Sequence, residues 1–560
     1  METFMHSLRE LSEFAQAKEL LQKGKAVALG GCIAAQKLHM AYGLGDGYRN
    51  RIIVTYDAMK AKELYEDYKL YDKDVILMAA KDMIFFQADI HGNDLTAERL
   101  AIYRRILEGE PITIVTTFDA LMSPCVPLSV YDENQIFIDN TVTLDETKLA
   151  EDLVKIGYEK CAQVEGRGQF SIRGGIVDIF DVTKDNPIRI ELWGDEVESI
   201  RSFDVLSQRS IEELDDSMIF PATEFVLSVE DMEKGLGRIE TETKKIYEKL
   251  RAEFKTEEAA RIRQQYEMLR EQMTEFGVMA NLESYIRYFY GQLVGFSDFF
   301  DPRSTIFILD EPLRIEERAG VVELEFRESM MHRMEKGLAL AGQADVLIRR
   351  EEVYAKLAQF PLAVLSTLEA KIPRLPIEQN FHMHVRAITS YNNSFEELKK
   401  DLNKYKKNKY SILLLCASRT RAKRLAGDLL DEGFAAFYSE DFDRKIEQGE
   451  IMLAYGNLSG GFEYPLIRTA MISESDIFGS RKTKKKRKKQ YEGRKIQDFT
   501  DLKVGDYVVH ESHGLGIYKG IEKIEVDHVV KDYMKIEYRD GGNLYVLATG
   551  FDVIAKYASA

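Results

Sequence analysis

The stretch GQFSIRGGIVDIF at 168–180, followed by PIRIELWGDEVESIRSFD at 187–204, is the place to begin. Apolar and polar residues alternate with a period of two, and Gly-Gly and Gly-Asp interrupt the alternation. That is the pattern of short antiparallel strands joined by tight turns. Arg189, Glu191 and Trp193 fall on one face of their strand, and Ile190 and Leu192 on the other. The apolar face turns to a core, so the only tryptophan of the chain stands on the polar face beside an arginine. Arginine and tryptophan dominate the energetics of protein interfaces. Arg173, Arg189 and Trp193 are therefore candidate contacts for a partner, with Arg189 expected to be exposed. The pattern fits equally a Trp193 packed under a neighbouring helix and an Arg189 held in a surface ion pair.

Around this sheet-rich block, 134–222, the rhythm changes. Residues 1–133 alternate short apolar runs (25–29, 51–55, 75–79, 112–116) with helical stretches (58–71, 96–108). Such alternation implies a parallel sheet with crossover helices. Residues 223–372 carry a charged helical stretch over 231–276, read as a solvated helix face, then the buried strand STIFIL at 304–309. Residues 375–478 are again α/β, with strands expected at 410–416, 451–454 and 466–472 and a helix at 418–432. Residues 479–497 lack hydrophobic period and read as a basic flexible linker. Residues 498–560 show short alternating strands with glycine turns, as in a small SH3- or Tudor-like β-barrel. The predicted fold is thus a multidomain α/β protein with an α+β insert, a further α/β domain, a basic linker and a terminal barrel.

The chain has 560 residues and a formal net charge of -17, with 45% hydrophobic and 31% charged residues. This composition excludes global disorder and collagen-like architecture. No apolar run approaches the roughly 18 residues of a membrane span, and no signal-peptide pattern opens the chain. Cys32, Cys125, Cys161 and Cys416 show no CxxC spacing and read as buried small side chains in a reducing cytoplasm. The acidic balance argues against a nucleic-acid coat protein. One exception is RKTKKKRKK at 481–489, eight basic residues in nine. Lys484, Lys485, Lys486 and Arg487 could contact DNA phosphates, but no aromatic residues interleave for stacking, so a solvated linker is preferred.

A phosphate loop needs glycines, a lysine and a following hydroxyl. LGGCIAAQK at 29–37 offers Gly30, Gly31 and a late Lys37, with no Ser or Thr after it. Asp310 and Glu311, after an apolar strand, resemble a magnesium-holding pair, yet with this loop they have no nucleotide to serve. The reading is a degenerate nucleotide site without catalytic residues and without a cofactor in this chain. The nine histidines form no metal pattern, and His510 and His513 read as turn or packing residues. In the terminal block, Ile521, Glu522, Lys523, Ile524 and Glu525 form a strand that could offer its edge to a partner or serve as a core strand.

The string from 168 to 180, together with RIELWGDEVESIRSFDVLSQRS at 189–210, resembles the signature shared by UvrB and the bacterial transcription-repair coupling factors (the Mfd family). LKVGDYVVHESHGLGIYKGIEKIEV at 502–526 and KDYMKIEYRDGGNLYV at 531–546 resemble the RNA polymerase-interacting domain of the coupling factors, related to CarD-type regulators, and ISESDIFG at 472–479 is similar to the same family. The resemblance implies UvrB-like domains 1a (1–133), 2 (134–222) and 1b (223–372), with an α/β domain 3 at 375–478. It implies UvrA binding through Arg173, Arg189 and Trp193, and binding of the RNA polymerase β subunit through the strand around Ile524. It also implies that ATP, Mg²⁺ and duplex DNA are used by motor domains of the parent protein that this chain lacks, in a cytoplasmic protein without membrane contact. Two departures from UvrB agree with that family: the broken phosphate loop, and no DNA-clamping insertion between Asp94 and Pro111. Leu547-Ala548 stands where the family shows a proline-containing turn. The alternatives are a stand-alone UvrB-like damage-binding or ATPase repair protein and a CarD-like regulator.

Overall fold

The computed structural model describes residues 1–81, 92–276, 282–369, 374–478, 493–495, 505–510, 514–526, 529–537, 543–547 and 554–557. The chain forms two compact units, Met1–Ser480 and Arg481–Ala560.

In the first unit, the apolar runs of the amino-terminal block become strands Ala26–Gly30, Asn50–Thr55, Ile76–Met78 and Ile112–Thr117. They are completed from far along the chain. The seven-stranded order is 377–382, 26–30, 362–365, 305–310, 50–55, 112–117, 76–78, and every pairing in it is parallel. Both faces are covered, which is why these strands read as continuous apolar runs. Ile52, Val54, Phe307 and Leu309 enter one core. Ile53, Val27, Ile306 and Ile308 enter the other. The helix Ala58–Tyr68 starts where the Asp57 side chain accepts the Lys60 N–H, a capping bond.

The 375–478 block packs on the first. Its opening strand, Ile377–His382, pairs with Ala26–Gly30, and Leu413, Leu415, Met452 and Met471 share the core that holds Val27 and Leu29. Its own six-stranded sheet runs 386–387, 462–464, 469–473, 411–416, 450–455, 435–438. The strand expected at 466–472 begins at Thr469, because Pro465–Ile467 forms a 3₁₀ turn and Arg468 takes φ 51°. The helical stretch at 231–276 is two helices, Val229–Ala252 and Thr256–Phe276. Its charged residues lie outward, but Leu236, Ile239, Ile262 and Leu269 fill a core of their own.

The second unit is an antiparallel six-stranded sheet in the order 493–495, 554–557, 507–510, 514–526, 529–537, 543–547. Residues 493–495, expected in the linker, pair with 555–557 as an outer strand. The basic run 481–489, with Lys484, Lys485, Lys486 and Arg487, lies outside the described residues, as do His513 and Ala548. Among the described residues, no helix is long and apolar enough to cross a membrane.

Candidate functional site: the outer face of the inserted sheet

The inserted block folds as a sheet of strands 210–214, 196–203, 188–193, 176–179, 169–173 and 159–160. Gly174 and Gly175, at φ 55° and 81°, make the two-residue turn that joins Arg173 to Ile176. That turn type needs left-handed backbone at both central positions. The inner face buries Phe170, Val177, Ile188, Ile190 and Leu192 against Leu149 and Leu153 of the helix Glu146–Lys155.

The outer face is built around a carboxylate that the sequence reading passed over. Register brings Ser171, Asp178, Arg189, Arg201 and Glu213 into one cross-strand row. Asp178 is fully buried. It accepts from Arg189 Nε at 2.7 Å, Arg189 Nη2 at 2.9 Å and Arg173 Nη2 at 2.9 Å. Arg189 Nη2 also donates to Gln208 Oε1 at 2.9 Å, and its guanidinium lies 4.4 Å over the Phe203 ring. The bonds to Asp178 hold the Arg189 guanidinium above its ordinary pKa.

Arg189 is therefore not the exposed arginine expected. Its side chain is only 19% accessible, whereas that of Arg173 is 47% accessible. Trp193 follows Arg189 on the same face and is 78% exposed, so it is not packed under a helix. Glu191 accepts from Ser199 and Arg201 between them. The structure thus brings Arg173, Arg189 and Trp193 onto one face, with the two guanidinium groups fixed by a shared anion.

The degenerate nucleotide site is brought together and filled from within. Lys37 Nζ donates to Asp310 Oδ1 at 2.7 Å and to Glu311. Thr55 Oγ1 donates to Asp310 Oδ2 at 2.9 Å. Partial burial works against the Glu311 carboxylate, but its bonds from Lys37 and Thr367 keep its pKa below the usual carboxylate value. The space over the glycines is taken as well. A Cβ on Gly30 would meet Glu369 Cγ at 2.6 Å, and one on Gly31 would meet the Met383 carbonyl oxygen at 2.8 Å. The Cys32 N–H, which a phosphate would need, donates to Ser366. Burial pushes the Cys32 thiol up to about 12. The four cysteines are free thiols, Cys161 only half-buried.

In the second unit, Ile521, Glu522, Lys523, Ile524 and Glu525 lie in the strand Gly514–Val526. They pair with 530–534 on one side. Pairing on the other side involves Gly514–Ile517. Among the described residues, the 521–525 backbone therefore keeps one edge without a partner strand. Where the side chains of 521–525 face lies outside the described residues.

Comparison with known proteins gives two domain matches. Residues 136–225 match the UvrB interaction domain, and residues 502–558 match the CarD-like/TRCF RID domain. The first match spans the sheet just described. Along most of its length the chain is similar to transcription-repair-coupling factors. It is 31% identical to that of Bacillus subtilis over 515 residues, covering 91% of this chain and 43% of that protein. It is 26% identical to that of Staphylococcus epidermidis over 556 residues, covering 99% and 46%. It is 23% identical to that of Staphylococcus aureus (strain MRSA252) over 557 residues, covering 99% and 47%. The chain spans a little under half the length of these relatives.

Proposed function

With both domain matches and up to 99% of the chain aligned to transcription-repair-coupling factors as premise, we propose that this chain is the partner-binding portion of such a factor. It joins a stalled RNA polymerase to nucleotide excision repair. The outer face of the inserted sheet binds UvrA, with Trp193 and Arg173 as direct contacts and Arg189 sharing the Asp178 carboxylate with Arg173. The carboxyl-terminal sheet, read as an SH3- or Tudor-like barrel of the CarD kind, binds the polymerase β subunit by adding a partner strand along 521–525. ATP-driven translocation on duplex DNA, with its Mg²⁺, is assigned to parts of the longer relatives outside the matched residues. The Lys37–Asp310–Glu311 triad supports a structural role for the nucleotide-like site here.

The observation that carries the reading is the pair of arginines locked around buried Asp178 beside an exposed tryptophan, within the UvrB interaction domain match. Two titrations test it. Purified polymerase β subunit is expected to bind the full chain and not the chain ended at Ser480. UvrA is expected to bind both. Failure of the folded full chain to bind UvrA would overturn the repair half, and β-subunit binding that survives the truncation would overturn the assignment to the barrel.

A further inference from the structure

The helix Arg419–Asp431 carries Arg419, Arg421, Lys423 and Arg424 within six residues, with no acid before Asp428. Ala422, Ala426 and Leu429 form its buried side. Helical spacing then sets Arg419 and Lys423, four apart, along one border of the exposed face, Arg424 on its middle and Arg421 on the far border. Neighbouring elements supply a ring to three of these cations. Arg419 lies 4.5 Å from the Tyr455 centroid, Lys423 5.1 Å from that of Tyr438, and Arg421 5.7 Å from that of Phe478. Tyr438 and Tyr455 are the last residues of parallel strands 435–438 and 450–455. The rings therefore meet the helix at the carboxyl ends of the strands, the end at which open α/β sheets take ligands.

Internal pairing accounts for part of this face. Glu440 accepts from Arg419 and Tyr438, and Glu474 pairs with Arg421. Among the described residues, Lys423 and Arg424 make no close ion pair, although Lys423 helps hold the Glu440 carboxyl below its usual value after the bonds from Arg419 and Tyr438, and Tyr455 and Phe478 stay 44% and 46% exposed. An acidic peptide would use the cations and leave the rings idle. A duplex would keep its bases stacked within itself. Single strands use both features, phosphates on the cations and bases on the rings.

We propose that this face binds single-stranded nucleic acid, with Lys423 and Arg424 meeting phosphates and Tyr455 stacking on an unpaired base. The proposal stands apart from the two protein partners above.

The test is fluorescence anisotropy of a labelled mixed-sequence single strand about 20 nucleotides long, titrated with the full chain over a series of salt concentrations. Lys423→Ala/Arg424→Ala changes only exposed side chains, and is expected to weaken binding about tenfold and to flatten the log affinity against log salt slope by about 1.4. Tyr455→Leu is expected to weaken binding about fivefold with the slope unchanged. Thermal melts matching the parent chain show that each variant is folded. Unchanged affinity and slope in the double variant would overturn the proposal, and would assign any binding seen to the basic run at 481–489. So would equal affinity for the matching duplex, or competition by poly-glutamate together with no effect of Tyr455→Leu.

Discussion

Trp193 exposes 78% of its surface at the end of a strand whose inner residues are fully committed to a core. Trp193→Ala therefore removes little packing, and its stability is expected to stay within about 0.5 kcal/mol of the parent. UvrA affinity is expected to fall by about 2 kcal/mol, roughly thirtyfold, by calorimetric titration. Arg189→Glu is a poorer probe than the sequence suggests. It would set a second carboxylate against buried Asp178, and is expected to cost about 3 kcal/mol of stability in a urea melt. Lys37→Met leaves Asp310 and Glu311 facing each other without their cation, and should cost about 3 to 5 kcal/mol at neutral pH. Glu311, held below its usual value by Lys37, contributes stability above the unfolded carboxylate range that is lost as pH falls. The gap between parent and Lys37→Met is accordingly expected to narrow in acid, which chemical denaturation at two pH values would show. Alternation alone reveals the shared face of Arg189 and Trp193. Asp178 could have been placed in part from the same string, because the Gly-Gly turn sets it opposite Ser171 on the next strand, but its pairing with Arg189 and its burial depend on the strand beyond. The meeting of Lys37 with Asp310 spans too much chain for any local pattern to disclose.

At the level of elements, the turn between helices Val229–Ala252 and Thr256–Phe276 has a cost of its own. Phe254 takes φ 61° and is 90% exposed. A left-handed residue just past a helix end is the position glycine fills best. Phe254→Gly is expected to raise stability by about 1 kcal/mol, read as a higher melting temperature. An unchanged or lower value would mean that the ring makes a contact worth that strain. The break was not legible because the charge pattern runs through 253–255 without glycine or proline. The strand at 377–382 was missed as a partner of the first sheet for a different reason. A parallel pairing between distant segments leaves no turn in the sequence to mark it. The strand at 493–495 was hidden by its basic, polar composition, which on an outer strand reads like linker. The apolar strands of the first block were legible because burial on both faces makes their composition extreme.

For the molecule as a whole, the first and fourth blocks are joined by polar bonds as well as core. Asp67 accepts from the Ser459 N–H at 2.9 Å and from Ser459 Oγ at 2.6 Å. Burial raises its carboxyl to about 6 despite those bonds. A carboxyl that holds its proton more tightly when folded favours the native state at low pH, and that contribution is lost as pH rises from about 4 to 6. Asp67→Asn, which can keep both contacts with Ser459, is expected to remove this slope and to raise stability at pH 7 by about 2 kcal/mol. A retained slope would place the titration elsewhere. The strand order of the first sheet has a further consequence, for the history of each molecule. Ala26–Gly30 lies between 362–365 and 377–382, so the sheet cannot close until both have left the ribosome. The inserted hairpins pair only with near neighbours in sequence and can form while synthesis continues. A nascent chain stopped short of residue 362 would thus carry a finished inserted sheet on an unfinished scaffold.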